Sequence, residues 1–246
     1  QPQGAVMNRH LKTLWMLFGI CWSAGSWAAD PVVLMASLEW PPYVSERLSG
    51  LGIISQRVRM ALAHEGYQLQ IRFLPWKRAV AMVQHSTSYI GVFPEYASPQ
   101  REHEFYCSDP ILQAPLAFIQ DARLPPIDWL RLEDLAGYRI GTVAGYINTP
   151  EFDALVARKT LVIDEAQNDI ANLKKLLRGR IELAVIDPVL YRYLLRHDPE
   201  IKALSWRLRL VSRLLGQMQL VACFRHDAAG ERVRNALNRG LLQLDD

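Results

Sequence analysis

The sequence predicts an α/β fold of two small lobes, each a mostly parallel sheet flanked by helices, joined by two extended strands. Three observations predict it. Strand-like and helix-like segments alternate as β-α-β-α-β, an order that requires parallel strands with right-handed crossovers. The order occurs twice, in units of roughly 80–90 residues, the size of a small lobe. Two strand-like connectors, over 115–120 and 219–225, lie between and after the units.

Residues 32–37 (VVLMAS) are a short apolar strand. After a Pro-rich turn, Ile53, Ile54, Val58, Ala61 and Leu62 fall at helical spacing, and Gly66 is placed to end that helix. Residues 68–74 alternate polar and apolar as a strand does. Ala79, Val80 and Val83 share one face of a second helix, and the apolar run 89–93 is the third strand. The pattern resumes with a strand over 138–143, and Thr149 and Pro150 cap and open a helix. A strand over 161–164 precedes Ile170, Leu173, Leu176 and Leu177, an apolar helical stripe that stops at Gly179. Residues 182–186 form the next strand, Asp187 and Pro188 start another helix, and a terminal helix covers about 231–242. The expected lobes are 29–114 with 222–246, and 115–221.

Half the 246 residues are hydrophobic, enough for a sizeable core. The formal net charge is only +3 and no dense Lys/Arg run occurs, which excludes phosphate-backbone binding as a main role. From Met7, a basic start (Arg9, Lys12) runs into the apolar stretch 14–22, followed by small residues at Ser26 and Ala28. This is the layout of a secretory signal peptide cleaved after Ala28. The apolar run is too short to span a bilayer, and Ile20 before Cys21 departs from a lipoprotein signal. Residues 1–6 precede Met7 and are set apart with the leader. Without Arg9 and Lys12, the 28 basic residues fall to 26 against 25 acidic, so the exported part is nearly neutral. A periplasmic location is expected. Cys107 and Cys223 would then sit in an oxidising compartment. Their spacing leaves a bridge open, and two buried thiols are the simpler expectation. No Cys/His cluster has ligand spacing, so neither metal nor cofactor is expected.

Three clusters carry chemistry. Trp40-Pro41-Pro42-Tyr43 follows the first strand, and ligands of parallel sheets sit beyond the carboxyl ends of strands. Trp40 and Tyr43 there can wall a ligand or plug the core. Ser98-Pro99-Gln100-Arg101 follows the third strand; Arg101 can grip a carboxylate bidentately, or the segment is a Ser98-capped turn with a solvated arginine. Asp187 ends a strand and can pair with an ammonium, or simply cap the helix after it.

With these segments in order, the chain resembles the family 3 extracellular solute-binding proteins, whose members bind polar amino acids for ABC importers. The resemblance covers most of the chain after residue 28. It includes the WPPY loop, the Ser98-Pro99-Gln100-Arg101 turn leading to residues 105–110 (FYCSDP), and residues 134–141 (DLAGYRIG). It continues through residues 143–145 (VAG) and 177–187 (LRGRIELAVID). It implies a periplasmic binding protein-like fold of type II, with the connectors as hinge strands and the lobes closing on a small charged organic ligand such as an amino acid. It implies that Arg101 grips the ligand carboxylate beside Ser98, that Asp187 receives the ammonium, and that Trp40, Tyr43 and Trp76 are aromatic pocket positions. Gly145 and Tyr146 form a turn able to offer backbone N–H groups to an anion. Tyr146 stands where Ser or Thr is usual, Ser37 where an acid is common, and Tyr96 where a small hydroxyl is usual. Residues 73–79 (FLPWKRA) bring Trp76, Lys77 and Arg78 near the cleft, so the pocket is expected to be bulkier, more aromatic and more cationic. Arg101→Ala is expected to abolish binding without unfolding the chain. A monomer is expected, partnered by an inner-membrane ABC permease or a sensor, without catalytic activity. Periplasmic dehydratases acting on cyclohexadienyl amino acids also resemble this family, and Glu39 and Glu182 are the general-acid candidates for that reading.

Overall fold

The computed structural model describes residues 30–245; the predicted leader with Cys21, and Asp246, lie outside the described residues. The first unit alternates β1 (Val32–Ser37), α1 (Ile53–His64), β2 (Gln68–Phe73), α2 (Trp76–His85) and β3 (Gly91–Tyr96). A short helix α3 (Pro99–Glu104) and β4 (Tyr106–Cys107) lead to the long strand β5 (Leu112–Asp121). The second unit alternates β6 (Arg139–Val143), α4 (Pro150–Ala157), β7 (Val162–Ala166), α5 (Asp169–Leu177) and β8 (Leu183–Ile186). Helices α6 (Pro188–His197) and α7 (Pro199–Ala203) follow, then β9 (Leu208–Phe224) and the closing helix α8 (Ala228–Asp245).

The strands run β2-β1-β3-β9-β5-β8-β6-β7, with β4 on β9. The two units repeat one topology. In each, the first strand is central and parallel to both others, the second is at the edge, and the third lies inward beside the long strands. β3 and β8 are buried at every position, whereas the edge strand β2 alternates, which is why only β2 shows clean period-two patterning in sequence. The predicted helix stops and caps hold. Thr149 Oγ1 accepts the Phe152 N–H at 3.3 Å, and α5 ends just before Gly179, whose φ of 70° suits glycine.

Three expectations are corrected. The third strand lies at Gly91–Tyr96 rather than 89–93, because the chain stays extended through Pro94; lacking an N–H, Pro94 slips the register against β9 between Val92 and Glu95. The two connectors are much longer than predicted and pair with each other antiparallel, from Leu112↔Leu220 to Asp121↔Leu208. That ladder slips around Leu116 and Ala117, opposite Gly216 and Leu214. Cys107 and Cys223 are a disulfide rather than two thiols, because the β4–β9 register sets them directly opposite each other with Cα atoms 4.0 Å apart.

Candidate functional site

The WPPY loop leaves the carboxyl end of β1 and folds back on itself, Trp40 bridging to Val44. Trp40 and Tyr43 stack with centroids 4.5 Å apart, and Tyr96 meets Trp40 edge-on at 5.8 Å. All three are buried, so each does plug the core beneath the loop, yet all face the cleft between the lobes. Trp40 is 4% exposed and Tyr96 5%, and neither the Trp40 indole N–H nor the Tyr96 hydroxyl meets a partner. Trp76 opens α2 and donates its indole N–H across the cleft to the Gly145 carbonyl at 3.2 Å.

Arg101 is neither solvated nor free. It is 6% exposed, and its Nε donates to Glu95 at 2.5 Å, Nη1 to Glu104 at 2.9 Å and Nη2 to the Gly145 carbonyl at 3.0 Å. Ser98 caps α3, its hydroxyl accepting the Arg101 N–H at 3.2 Å. Glu95, 3% exposed, is the partner that sequence reading missed. It was hidden behind Pro94, beyond the expected end of its strand. Burial pushes its carboxyl up to about 7 against the opposing pull of Arg101.

Across the cleft, Gly145 takes a φ of 83° and turns its carbonyl toward Trp76 and Arg101. The expected anion-binding turn is therefore inverted: the Tyr146 N–H is spent on the Val143 carbonyl at 3.0 Å. The Tyr146 hydroxyl donates to Asp169 at 3.0 Å. Asp169, the buried first residue of α5, was also missed, since an acid in a helix's first turn reads as a partner of the helix dipole. Burial pushes its carboxyl up to about 7. Asp187 caps its helix, as one of the two readings expected, and it also turns an oxygen into the cleft. Its Oδ1 caps α6 by accepting the Val189 and Leu190 N–H groups at 2.6 and 2.9 Å, and its Oδ2 accepts the Tyr43 hydroxyl at 3.0 Å from the other lobe. Its carboxyl too is raised, chiefly by burial.

The space at the centre is small. One cavity of about 20 Å³ lies among Trp40, Trp76, Glu95, Tyr96 and Tyr146, and another of about 10 Å³ reaches Asp169 and Asp187. Each has room for about one water, so these central side chains close upon one another, while a wider space of about 580 Å³ opens beside them at Trp76, Lys77 and Tyr146. The cationic character expected from Lys77 and Arg78 does not reach the buried part of the cleft: both are exposed, Lys77 lining an outer pocket beside Trp76 and Tyr146, while the buried charged groups at the cleft, among the described residues, are Glu95, Asp169, Asp187 and Arg101. Neither general-acid candidate sits among them. Glu39 is exposed and accepts the Glu46 N–H, and Glu182 pairs with Arg139.

The raised carboxyls fix a pH dependence. The folded chain holds protons on Glu95 and Asp169 that the unfolded chain releases near 4.5 and 3.8, so stability should fall as pH rises from about 4.5 toward about 7. Asp121 and Glu182, held below their usual range by arginine partners, are ionised throughout that window and do not offset it. Urea midpoints at about pH 5 and about pH 7.5 check this, the lower pH giving the higher midpoint. Equal midpoints would show both carboxyls to be ordinary.

No protein-family model and no curated protein sequence matches the chain. Solved structures do. A histidine kinase sensor domain with similarity to periplasmic binding proteins is 19% identical with a TM-score of 0.73, over 88% of this chain and 91% of that one. An ancestral arginine-binding protein bound to arginine is 16% identical with a TM-score of 0.70, over 89% and 94%. The ligand-binding core of GluR0 from Nostoc punctiforme, in complex with L-glutamate, is 19% identical with a TM-score of 0.66, over 87% and 92%. At these identities the likeness is one of architecture, carried by nearly the whole of each chain. Two α/β lobes, a repeated strand order and two long crossing strands together make this the type II periplasmic binding protein-like fold.

Proposed function

We propose that the protein captures a small charged organic solute by closing its lobes, 29–114 with 222–246 and 115–221, as β5 and β9 bend. One observation carries this reading: buried polar groups of the two lobes clasp each other directly. Tyr43 reaches Asp187, and Trp76 and Arg101 reach the Gly145 carbonyl, around an indole N–H and a hydroxyl that have no partner. Groups buried this way cost free energy unless something hydrogen-bonds to them, so the clasp is built to be opened and re-made around a ligand. The ligands named for the similar structures, arginine and L-glutamate, support a solute of amino-acid size. Export to the periplasm is supported by the leader and by the Cys107–Cys223 bridge.

Delivery to an inner-membrane ABC permease is the leading role, with the closed form as the species recognised. A sensing role, with closure read by a signalling partner, is favoured by the likeness to a histidine kinase sensor domain. Native mass spectrometry of the protein purified from its own cell envelope tests capture. A co-purified small molecule, released with unchanged mass on denaturation, is expected. A molecule released chemically altered would replace capture by catalysis, and a bare protein whose lobes stay closed in every envelope extract would overturn the reading.

A further inference from the structure

The charge balance of the cleft runs against a zwitterion. A ligand carboxylate needs a free cation, and the buried cation available, Arg101, is held within its own lobe by two carboxylates, Glu95 on Nε and Glu104 on Nη1, so that opening the clasp releases Nη2 alone from the Gly145 carbonyl. Taking Arg101 for a ligand would leave Glu95 buried and unpaired, or set two carboxylates on one guanidinium. On the side facing the cleft, in contrast, Oδ2 of Asp169 and Oδ2 of Asp187 accept the neutral hydroxyls of Tyr146 and Tyr43, each at 3.0 Å, while Oδ1 of Asp187 caps α6. A cationic N–H donor would bind either carboxylate more strongly than a phenol does. Four rings, those of Trp40, Trp76, Tyr96 and Tyr146, line the central cavity, with Tyr43 stacked on Trp40 behind them, and aromatic faces attract cations. The buried, unpartnered Trp40 indole N–H lies beside them; it can only donate, so it needs an acceptor. Among the described residues no group of His, Cys, Asp and Glu side chains is arranged to hold a metal ion, which leaves an organic cation.

Resting on the capture reading above, we propose that the ligand is a small organic cation without a carboxylate, an amine or guanidine bearing a neutral oxygen acceptor. Its N–H groups replace the hydroxyls of Tyr43 and Tyr146 on Asp187 and Asp169, and its neutral oxygen takes the Trp40 N–H. The other charged groups that bear on these carboxylates are few. Arg192 lowers the carboxyl of Asp187, Glu104 raises that of Glu95 and Asp187 raises that of Asp169, while Lys77 stands exposed at the mouth. Ionisation of Glu95 and Asp169 therefore strengthens binding of a permanent cation as pH rises.

Isothermal titration calorimetry with matched probes tests this: L-arginine, L-argininamide and agmatine; L-lysine, L-lysinamide and cadaverine; and L-glutamate. At least one carboxylate-free probe should bind about tenfold or more tighter than its parent amino acid. Affinity for agmatine or cadaverine, cationic throughout, should rise between about pH 6 and about pH 8. Asp169→Asn, an isosteric change, should weaken that binding about tenfold. A parent amino acid or glutamate binding as tightly as its carboxylate-free partners would overturn the proposal and return the carboxylate grip to Arg101. Failure of every probe would overturn it as well, while a ligand co-purified from the envelope would leave capture standing.

Discussion

Arg101→Ala is expected to destabilise the protein by about 3–5 kcal/mol, because it leaves the Glu95 carboxyl buried without its partner. For a chain of this size that lowers Tm by on the order of 10 °C. The sequence alone led to the opposite expectation, loss of binding with the fold intact, since nothing in it marks Arg101 as internally paired. The sign of the pH dependence is set by Glu95. Its carboxyl is held up to about 7 by burial, with Arg101 pulling it down, so removing Arg101 lets it keep its proton to higher pH still. The loss should be greatest above about pH 7 and smaller near pH 5, where Glu95 is protonated in both proteins. Urea midpoints at the two pH values measure it. The double variant Glu95→Leu with Arg101→Met, which removes both members of the pair and strands neither, should recover most of the lost stability. Full stability of the single variant at both pH values would show the pair to contribute no more than a surface ion pair.

Replacing both cysteines by serine is the second large effect. The bridge closes a loop spanning 116 residues, and releasing it restores chain entropy to the unfolded state worth about 2–5 kcal/mol. Tm should fall by on the order of 10 °C. The unmodified protein, reduced in denaturant and refolded with its thiols blocked from reoxidising, should melt at the temperature of the variant. Because both cysteines sit where β4 pairs with β9, away from the cleft residues, ligand affinity well below Tm should stay unchanged. Identical melting of oxidised, reduced and substituted proteins would mean the bridge does not constrain the unfolded chain.

The fold was legible because its signals are local. Helical stripes such as Ile170–Leu173–Leu177 and caps such as Thr149 and Asp187 act within a few residues, and each unit repeats the same order. The reach of β9 was not legible: its middle, from Ser212 to Gln217, is largely exposed or half-buried and carries no apolar periodicity, and its pairing partner lies about a hundred residues earlier. The bridge was hidden for the same reason, since only strand register brings Cys107 to Cys223.

The site was half legible. Trp40, Tyr43, Trp76, Tyr96, Arg101, Gly145, Tyr146 and Asp187 do converge on one cleft, with Ser98 behind them as a cap. The electrostatic sign of the cleft was misread, because composition counts charges without saying which point inward. Lys77 stays at the mouth and Arg78 is exposed, while Glu95 and Asp169, one beyond a proline and one at a helix start, are buried.

The slip in the β5–β9 ladder has a mechanical consequence. A continuous antiparallel ribbon is stiff, since bending it strains every rung; where the register slips around Leu116 and Ala117, rungs are already missing and compliance is concentrated. Under the capture proposed above, the free energy contributed by a solute in the cleft would be delivered to a bend a few residues long. The threshold for the proposed closure could then be retuned there, by stiffening or loosening the chain near Gly216, without altering a single atom of the cleft.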